Sequence, residues 1–460
     1  MSRLVVISNR VAVPEARGAA GAQGGLAGAL NAALREKGGV WFGWSGQECE
    51  RFTGTIDRQV SEDGVVTATI DLEPQDIEEY YNGYANSTLW PLFHYRIDLT
   101  EYEREFGKGY ERVNDLFAES VRPLIEPGDV VWVHDYHFMP LGERLRQRGV
   151  RNRLGFFLHI PWPPANLFVS LPYHERLVRS LLRYDLLGFQ NNVWLESFLH
   201  YCETQLGAEV DRGTGEITYE DRSVIARAYP IGIDFEQFMA KGSCGEARQA
   251  QQRLESSTRH RTAMIGVDRL DYSKGLPERL DGIARFFERY PDRVRELVFV
   301  QIAPPSREDI GSYQNIRETL ERKTGRINGV YADVDMTPIR YVNKGYPQEE
   351  LFGLYRGAKI GLVTPLRDGM NLVAKEYVAA QDPDDPGVLI LSSFAGAAEQ
   401  MPDALLVNPH SSDELAHAIR EALDMPLAER KARYAKLIET VRNDNVQRWT
   451  DNFIGDLRRI

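Results

Sequence analysis

The 460-residue sequence is poor in cysteine, in long apolar runs and in positive charge. Its three cysteines, Cys49, Cys202 and Cys244, form no C-x-x-C pair, which excludes a disulfide framework and a cysteine-built zinc site. A reducing, cytoplasmic setting is expected. No apolar run approaches the roughly 18–20 residues of a membrane-spanning helix. The opening Met1-Ser2-Arg3-Leu4-Val5-Val6-Ile7-Ser8-Asn9-Arg10 turns polar too soon for a signal peptide. With a formal net charge of −12, neither nucleic acid nor a membrane surface is an expected partner. Any anionic ligand must then be held by a few focused cations.

What is present is an alternation of strand-like apolar runs and helical patterns. Expected strands in the first half are Leu4–Ser8, Val130–His134, Leu154–Ile160 and Leu186–Phe189, with helices at Glu111–Leu124 and Val193–Leu206. The pattern restarts with strands at Ala263–Val267, Leu297–Ile302, Ile360–Val363 and Val388–Leu391. Helices are expected at Leu276–Arg289, Arg307–Lys323, Asn371–Gln381 and Asp413–Leu423. Strands buried on both faces and separated by helices indicate an α/β protein with two Rossmann-like, doubly wound parallel sheets facing a cleft. The expected domains are 1–235 and 236–440. Residues 441–460 are expected to form a helix that packs back on the first domain, since Trp449 and Phe453 need a surface to cover.

Open parallel sheets bind ligands at the carboxyl ends of their strands, so the residues after each strand carry the information. The first strand leads into Ser8-Asn9-Arg10 and the small-residue loop Gly18–Gly28. That spacing matches neither G-x-G-x-x-G nor the P-loop, and the loop reads equally as an anion cradle or a plain connection. Gly266-Val267-Asp268-Arg269-Leu270-Asp271-Tyr272-Ser273-Lys274-Gly275 sets two cations between a strand end and a helix, the makings of a diphosphate clamp. A solvated loop is the plainer alternative. In Arg367-Asp368-Gly369-Met370-Asn371-Leu372-Val373-Ala374-Lys375-Glu376, backbone N–H groups at a helix start would point at the same anion.

His134, Asp135, His137 and His159 end two neighbouring strands. A metal site is one reading, but the spacing supplies no ligand pair in helical register. Polar groups contacting a hydroxyl-rich ligand fit better. Asp333-Val334-Asp335 and Gly43-Trp44-Ser45-Gly46 are read as coincidences with metal and nucleophile motifs, and Asn86-Ser87-Thr88 as an unused sequon. Tyr81 and Trp90, among Asn, Gly and Ser, could serve as core or as sugar-stacking rings.

Together these segments resemble the retaining trehalose-6-phosphate synthase family, which has the GT-B fold. The resemblance spans nearly the whole chain and rests on Ile7-Ser8-Asn9-Arg10, Gly24-Gly25-Leu26, Tyr80-Tyr81-Asn82, Leu89-Trp90-Pro91, His134-Asp135-Tyr136-His137 and Phe156-Phe157-Leu158-His159-Ile160-Pro161. The Arg269–Gly275 and Arg367–Leu372 segments and Gly325-Arg326-Ile327-Asn328-Gly329 complete it. It implies glucosyl transfer from a nucleotide-glucose to glucose 6-phosphate with retention, no metal, no cofactor, and a homo-oligomer. It leaves no room for the phosphatase domain fused in some relatives.

By position, the resemblance implies that Arg269 and Lys274 hold the donor diphosphate, assisted by the Met370, Asn371 and Leu372 backbone. Glu376 would bind the ribose, Asp368 and His159 the donor glucose, and Gly25 would lie against the donor. Arg10 and Arg307 would bind the acceptor phosphate, with Tyr81, Trp90 and Asp135 around its sugar. Arg269, Lys274, Asp135, His159 and Asp368 would surround the reacting centre, none as a covalent nucleophile. Met336, where many relatives have Trp, and Trp162, where Phe is usual, are departures. A sister enzyme glucosylating glycerol 3-phosphate, a fold-mate joining cyclitols, a non-catalytic sugar-phosphate sensor and a glycogen-synthase-like extender are the competing readings.

Overall fold

Ten strands and six strands form two separate sheets in the computed structural model, which describes residues 3–11, 28, 30, 31, 33, 34, 38–61, 64–259, 261–306 and 311–460. The chain divides into two compact units. The first runs to Ile231 and also takes Val446–Ile460; the second is Gly232–Asn445. Among the described residues no helix is long and apolar enough to cross a membrane.

In the first unit the strands are β1 (Leu4–Arg10), β2 (Gly39–Glu48), β3 (Asp57–Val60), β4 (Val66–Leu72), β5 (Val130–His134), β6 (Arg153–Phe157), β7 (Leu186–Phe189), β8 (Glu209–Asp211), β9 (Glu216–Tyr219) and β10 (Arg222–Ala228). Their order is 3-4-2-1-5-6-7-10-9-8. The centre is parallel, and the outer β3 and the β8–β9–β10 meander are antiparallel. β5 is buried throughout, as a strand covered on both faces must be.

One face is closed by the helix Val446–Arg459. Gly155 and Gly188, without Cβ atoms, leave the space that Phe453 fills; a Cβ there would lie 2.6 and 2.8 Å from its ring. Phe453 stacks on Trp132 at 4.9 Å, and Trp449 lies 4.6 Å from the same ring. Asp456 accepts hydrogen bonds from Arg227 and Tyr229, both at 2.8 Å.

The second unit has a wholly parallel sheet of β11 (Thr262–Val267), β12 (Leu297–Ile302), β13 (Ile339–Val342), β14 (Ile360–Val363), β15 (Val388–Ser392) and β16 (Leu405–Val407), in the order 13-12-11-14-15-16. The α/β, doubly wound expectation holds in both units. Corrections are local. β6 ends at Phe157, three residues before the expected end, which puts His159 in the loop beyond it. The helix expected over Arg307–Lys323 is described over Gly311–Tyr331, ending eight residues later than expected and absorbing Gly325–Gly329; Arg307 itself lies outside the described residues. The helix expected over 441–460 runs Val446–Arg459, separated by Asp444-Asn445 from a preceding helix, Leu427–Asn443. Trp162 is fully buried between Phe93 and Phe198, so this departure is core packing; Met336 is buried too.

Candidate functional site

The sequence-predicted residues fall into two clusters, one at the strand ends of each unit. In the first unit, β1 ends at Arg10, which is exposed. Ser8 Oγ accepts from Trp41 Nε1 at 2.8 Å, and Asn9 Oδ1 accepts from the Tyr80 hydroxyl at 2.8 Å. The two residues before Arg10 are thus pinned. Its guanidinium lies 4.6 Å over the Trp44 ring and 5.9 Å from that of Tyr81, a cation–π arrangement. Among the described residues no carboxylate pairs with it.

Tyr81 is carried on Ile77–Leu89, a stretch wound with i→i+5 hydrogen bonds; the last of them runs from the Trp90 N–H to Ala85 O. Such widened turns are rare and concentrate at functional sites. Tyr81 is edge-on to Trp44 at 5.5 Å and stacked on His137 at 6.1 Å. His137 in turn lies 4.0 Å from Tyr136, whose ring is 5.7 Å from Trp90. Trp90 is buried and stacked on His94 at 4.1 Å. Arg10, Tyr81 and Trp90 therefore line one continuous run of rings.

Asp135 follows β5 with φ 77°, a conformation that costs a non-glycine residue of order 1–3 kcal/mol. That strain turns its carboxylate onto the His159 N–H at 3.1 Å. The His159 ring is held from both sides. Ile231 N–H donates to Gln190 Oε1 at 3.1 Å, leaving Gln190 Nε2 as the donor to His159 Nδ1 at 3.3 Å. The His159 proton then sits on Nε2 and is donated to His134 Nδ1 at 3.0 Å. Burial pushes the His159 pKa down to about 3 and that of His134 well below the ordinary range, aided by the neighbouring ring. Burial thus favours the neutral form of both imidazoles.

In the second unit, Asp268-Arg269-Leu270-Asp271 follows β11. Arg269 donates to Asp271 Oδ2 from Nε at 3.2 Å and Nη2 at 2.9 Å. Asp271 is fully buried, and its Oδ1 accepts from the Ser273 N–H at 2.9 Å and hydroxyl at 2.8 Å. Lys274 Nζ is paired with Asp368 Oδ2. Gly275 turns the chain at φ +64° into the helix Leu276–Arg289, where a Cβ would strike Thr364 O at 2.6 Å. Asp368 Oδ1 accepts from the Gly369 N–H at 2.9 Å, and its Oδ2 from Asn371 Nδ2 at 3.1 Å.

Asn371 is left-handed at φ 72° and starts the helix Leu372–Ala380. No described acceptor takes the N–H groups of Met370, Asn371 or Leu372. Glu376 sits one turn further in. Burial pushes its carboxyl up to about 7, opposed by Lys241 and Tyr355.

Several supporting residues escaped the sequence reading. Arg279, fully buried, donates from Nη1 to Asp268 Oδ2 at 2.7 Å and Gln301 Oε1 at 2.9 Å, and from Nε to Thr364 Oγ1 at 2.9 Å. Its signal was an arginine on the apolar face of Leu276, Leu280, Ile283 and Phe287. Gly396 packs on the loop that carries Asp368, since a Cβ there would lie 1.8 Å from Gly369 O. Trp44, Gln190 and Asn9 gave no signal beyond their neighbours. Gly25 and Arg307 lie outside the described residues. Asp333 and Asp335 are turn residues paired with Arg295, and Asn86 is buried, accepting from the Tyr136 hydroxyl. Among the described residues no group of three His, Cys, Asp or Glu is placed to hold a metal ion.

The glycosyltransferase family 20 model matches residues 2–459. The trehalose-6-phosphate synthase of Cronobacter sakazakii is 46% identical over 465 residues, covering 100% of this chain and 96% of that protein. The UDP-forming α,α-trehalose-phosphate synthase of Burkholderia xenovorans, solved with glucose-6-phosphate, is similar at a TM-score of 0.95 and 46% identity, covering 99% of this chain and 100% of that one. An E. coli structure bound with UDP-2-fluoro glucose is similar at a TM-score of 0.94 and 42% identity, covering 100% and 99%.

Proposed function

Since this chain belongs to glycosyltransferase family 20, we propose that it transfers glucose from UDP-glucose to glucose 6-phosphate, with retention and without a metal ion, forming trehalose 6-phosphate. The observation that carries this reading is the second unit's cluster. Arg269 and Lys274 follow one strand of this sheet, Lys274 is paired with Asp368 of the loop that opens the helix Leu372–Ala380, and such cations and helix-start N–H groups suit a diphosphate. The ligands of the Burkholderia and E. coli relatives support the donor and acceptor classes.

Arg269 and Lys274 take the diphosphate, each exchanging a carboxylate partner for phosphate oxygens. The N–H groups of Met370, Asn371 and Leu372 complete that cradle. Glu376 accepts from the ribose hydroxyls, Asp368 and His159 meet the donor glucose, and Gly25 lies against the donor. Arg10 and Arg307 neutralise the acceptor phosphate. Tyr81 and Trp90 cover its sugar, and Asp135 accepts from a sugar hydroxyl.

In the transfer, the bond from the anomeric carbon to the β-phosphate oxygen breaks. A bond from the same carbon to the acceptor's anomeric oxygen forms on the same face, and the acceptor proton passes to the leaving phosphate oxygen. Fixed cations and N–H dipoles stabilise the charge that grows on that oxygen.

The test is nucleoside-diphosphate release by the purified protein with UDP-, ADP- or GDP-glucose, and glucose 6-phosphate or glycerol 3-phosphate, with and without chelator. Release that needs UDP-glucose and glucose 6-phosphate, survives chelation and yields an α,α-linked disaccharide phosphate is expected. Release only with glycerol 3-phosphate would assign the sister reaction, and silence with measurable UDP binding the sensor.

A further inference from the structure

Lys375 lies one residue before Glu376 and has no exposed surface, yet the transfer just described does not use it. Burial pushes its ammonium down to about 7, with the charge of Asp444 acting in the opposite direction. A methionine of similar volume would fill such a place without desolvating a charge. What the lysine adds is reach. Its Nζ donates to Gln400 Oε1 at 2.7 Å, and Gln400 Nε2 donates to Asp444 Oδ2 at 2.8 Å.

The two ends of this bridge are both informative. Gln400 closes the short helix Ala397–Gln400, which backs the loop carrying Asp368. The Gly396 N–H donates to Asp368 O at 3.2 Å, and that of Ala397 to Met370 O at 2.9 Å. Asp444 lies where the chain passes out of the second unit, two residues before Val446. Gly232, where the chain enters that unit, packs against the same place: a Cβ on it would lie 2.0 Å from Asp444 O and 2.5 Å from Asn445 Cα. Both crossings of the chain thus share one contact, and Lys375 reaches it through a single side chain.

We propose that Lys375 is a positioning residue that couples the donor loop Asp368–Leu372 to the paired chain crossings at Gly232 and Asp444-Asn445. Occupancy of the loop by a nucleoside diphosphate then stiffens the crossings. The proposal rests on the donor assignment made above.

Hydrogen–deuterium exchange of the full chain, with and without UDP, separates the two claims. In the wild type, UDP should slow exchange both in peptides over 366–376 and in those over the crossings, near residues 230–234 and 443–447. In Lys375→Met the loop should stay protected by UDP while the crossings lose their protection, and kcat should fall about tenfold. Lys375→Arg, which keeps a donor, should restore part of the crossing protection. Gln400→Met, which keeps the lysine but breaks the bridge, carries the same expectation should Lys375→Met not fold. Crossing protection equal in variant and wild type, or absent from a wild type whose loop is protected, would overturn the coupling alone. An unprotected loop in the wild type would overturn the donor assignment and the coupling with it.

Discussion

Lys274 pairs with Asp368 across 94 residues of chain, and neither side chain is more than 12% exposed. Each charge therefore depends on the other for compensation. Lys274→Met should leave a stranded carboxylate, costing about 3–5 kcal/mol in chemical denaturation, and lower kcat about 100- to 1,000-fold. Adding Asp368→Asn should recover much of the stability and none of the turnover. Equal stability of the single and double variants would show that the pair is not coupled.

Donor affinity should depend on pH through Glu376. Its carboxyl is raised from 4.5 to about 7, so its contribution to stability is complete below 4.5 and is lost as pH rises through about 7. Binding runs the other way, because ribose hydroxyls donate best to the ionised form. The KM for UDP-glucose should fall between pH about 6 and about 8, and Glu376→Gln should flatten that profile. A flat wild-type profile would remove Glu376 from the ribose.

His134 and His159 are held neutral, with folded pKa values depressed below 6.5. The stability they contribute is present above 6.5 and lost as pH falls toward the folded values. Melting temperature should therefore decline on acidification below 6.5, and less steeply in His134→Gln, which cannot titrate. Parallel declines would place the acid sensitivity elsewhere.

Gly396→Ala should displace the Asp368–Met370 loop, because the new Cβ would overlap Gly369 O. Donor turnover is expected to fall more than about tenfold, with the KM for glucose 6-phosphate little changed. Gly455→Ala, which meets nothing within 4 Å, should instead stabilise its helix by about 0.5–1 kcal/mol. Similar effects in both would mean that the overlap at 396 is absorbed.

Arg10→Ala should raise the KM for glucose 6-phosphate about 10- to 100-fold. Arg10→Lys should rescue little, since the planar group over Trp44 is lost. Initial-rate kinetics at saturating donor decide this.

Val130–His134, Leu276–Arg289, Leu297–Ile302 and Ile360–Val363 stand at the boundaries read from sequence, because each is a dense apolar run or a full amphipathic period between breakers. β2 was not expected, because glycine interrupts its apolar start, Gly39–Trp44, and its second half, Ser45–Glu48, is polar. The i→i+5 winding at Ile77–Leu89 has no sequence period to betray it. That Arg10, Asp135, Arg269 and Asp368 come at or after strand ends was legible, because the dense apolar runs before them mark the strands. Some supporting side chains were not: Gln190 stands 31 residues from His159 and Gln400 stands 25 from Lys375, so only the fold makes them neighbours.

The helix Val446–Arg459 also constrains the order of events during synthesis. Trp132 and the groove left by Gly155 and Gly188 belong to the first unit, but Trp449 and Phe453, which cover them, emerge only after the whole of Gly232–Asn445 has been translated. On a ribosome adding about 5–20 residues per second, the first unit waits with an uncovered aromatic face while the second can already fold. The N-terminal half of this chain is therefore the last to be finished.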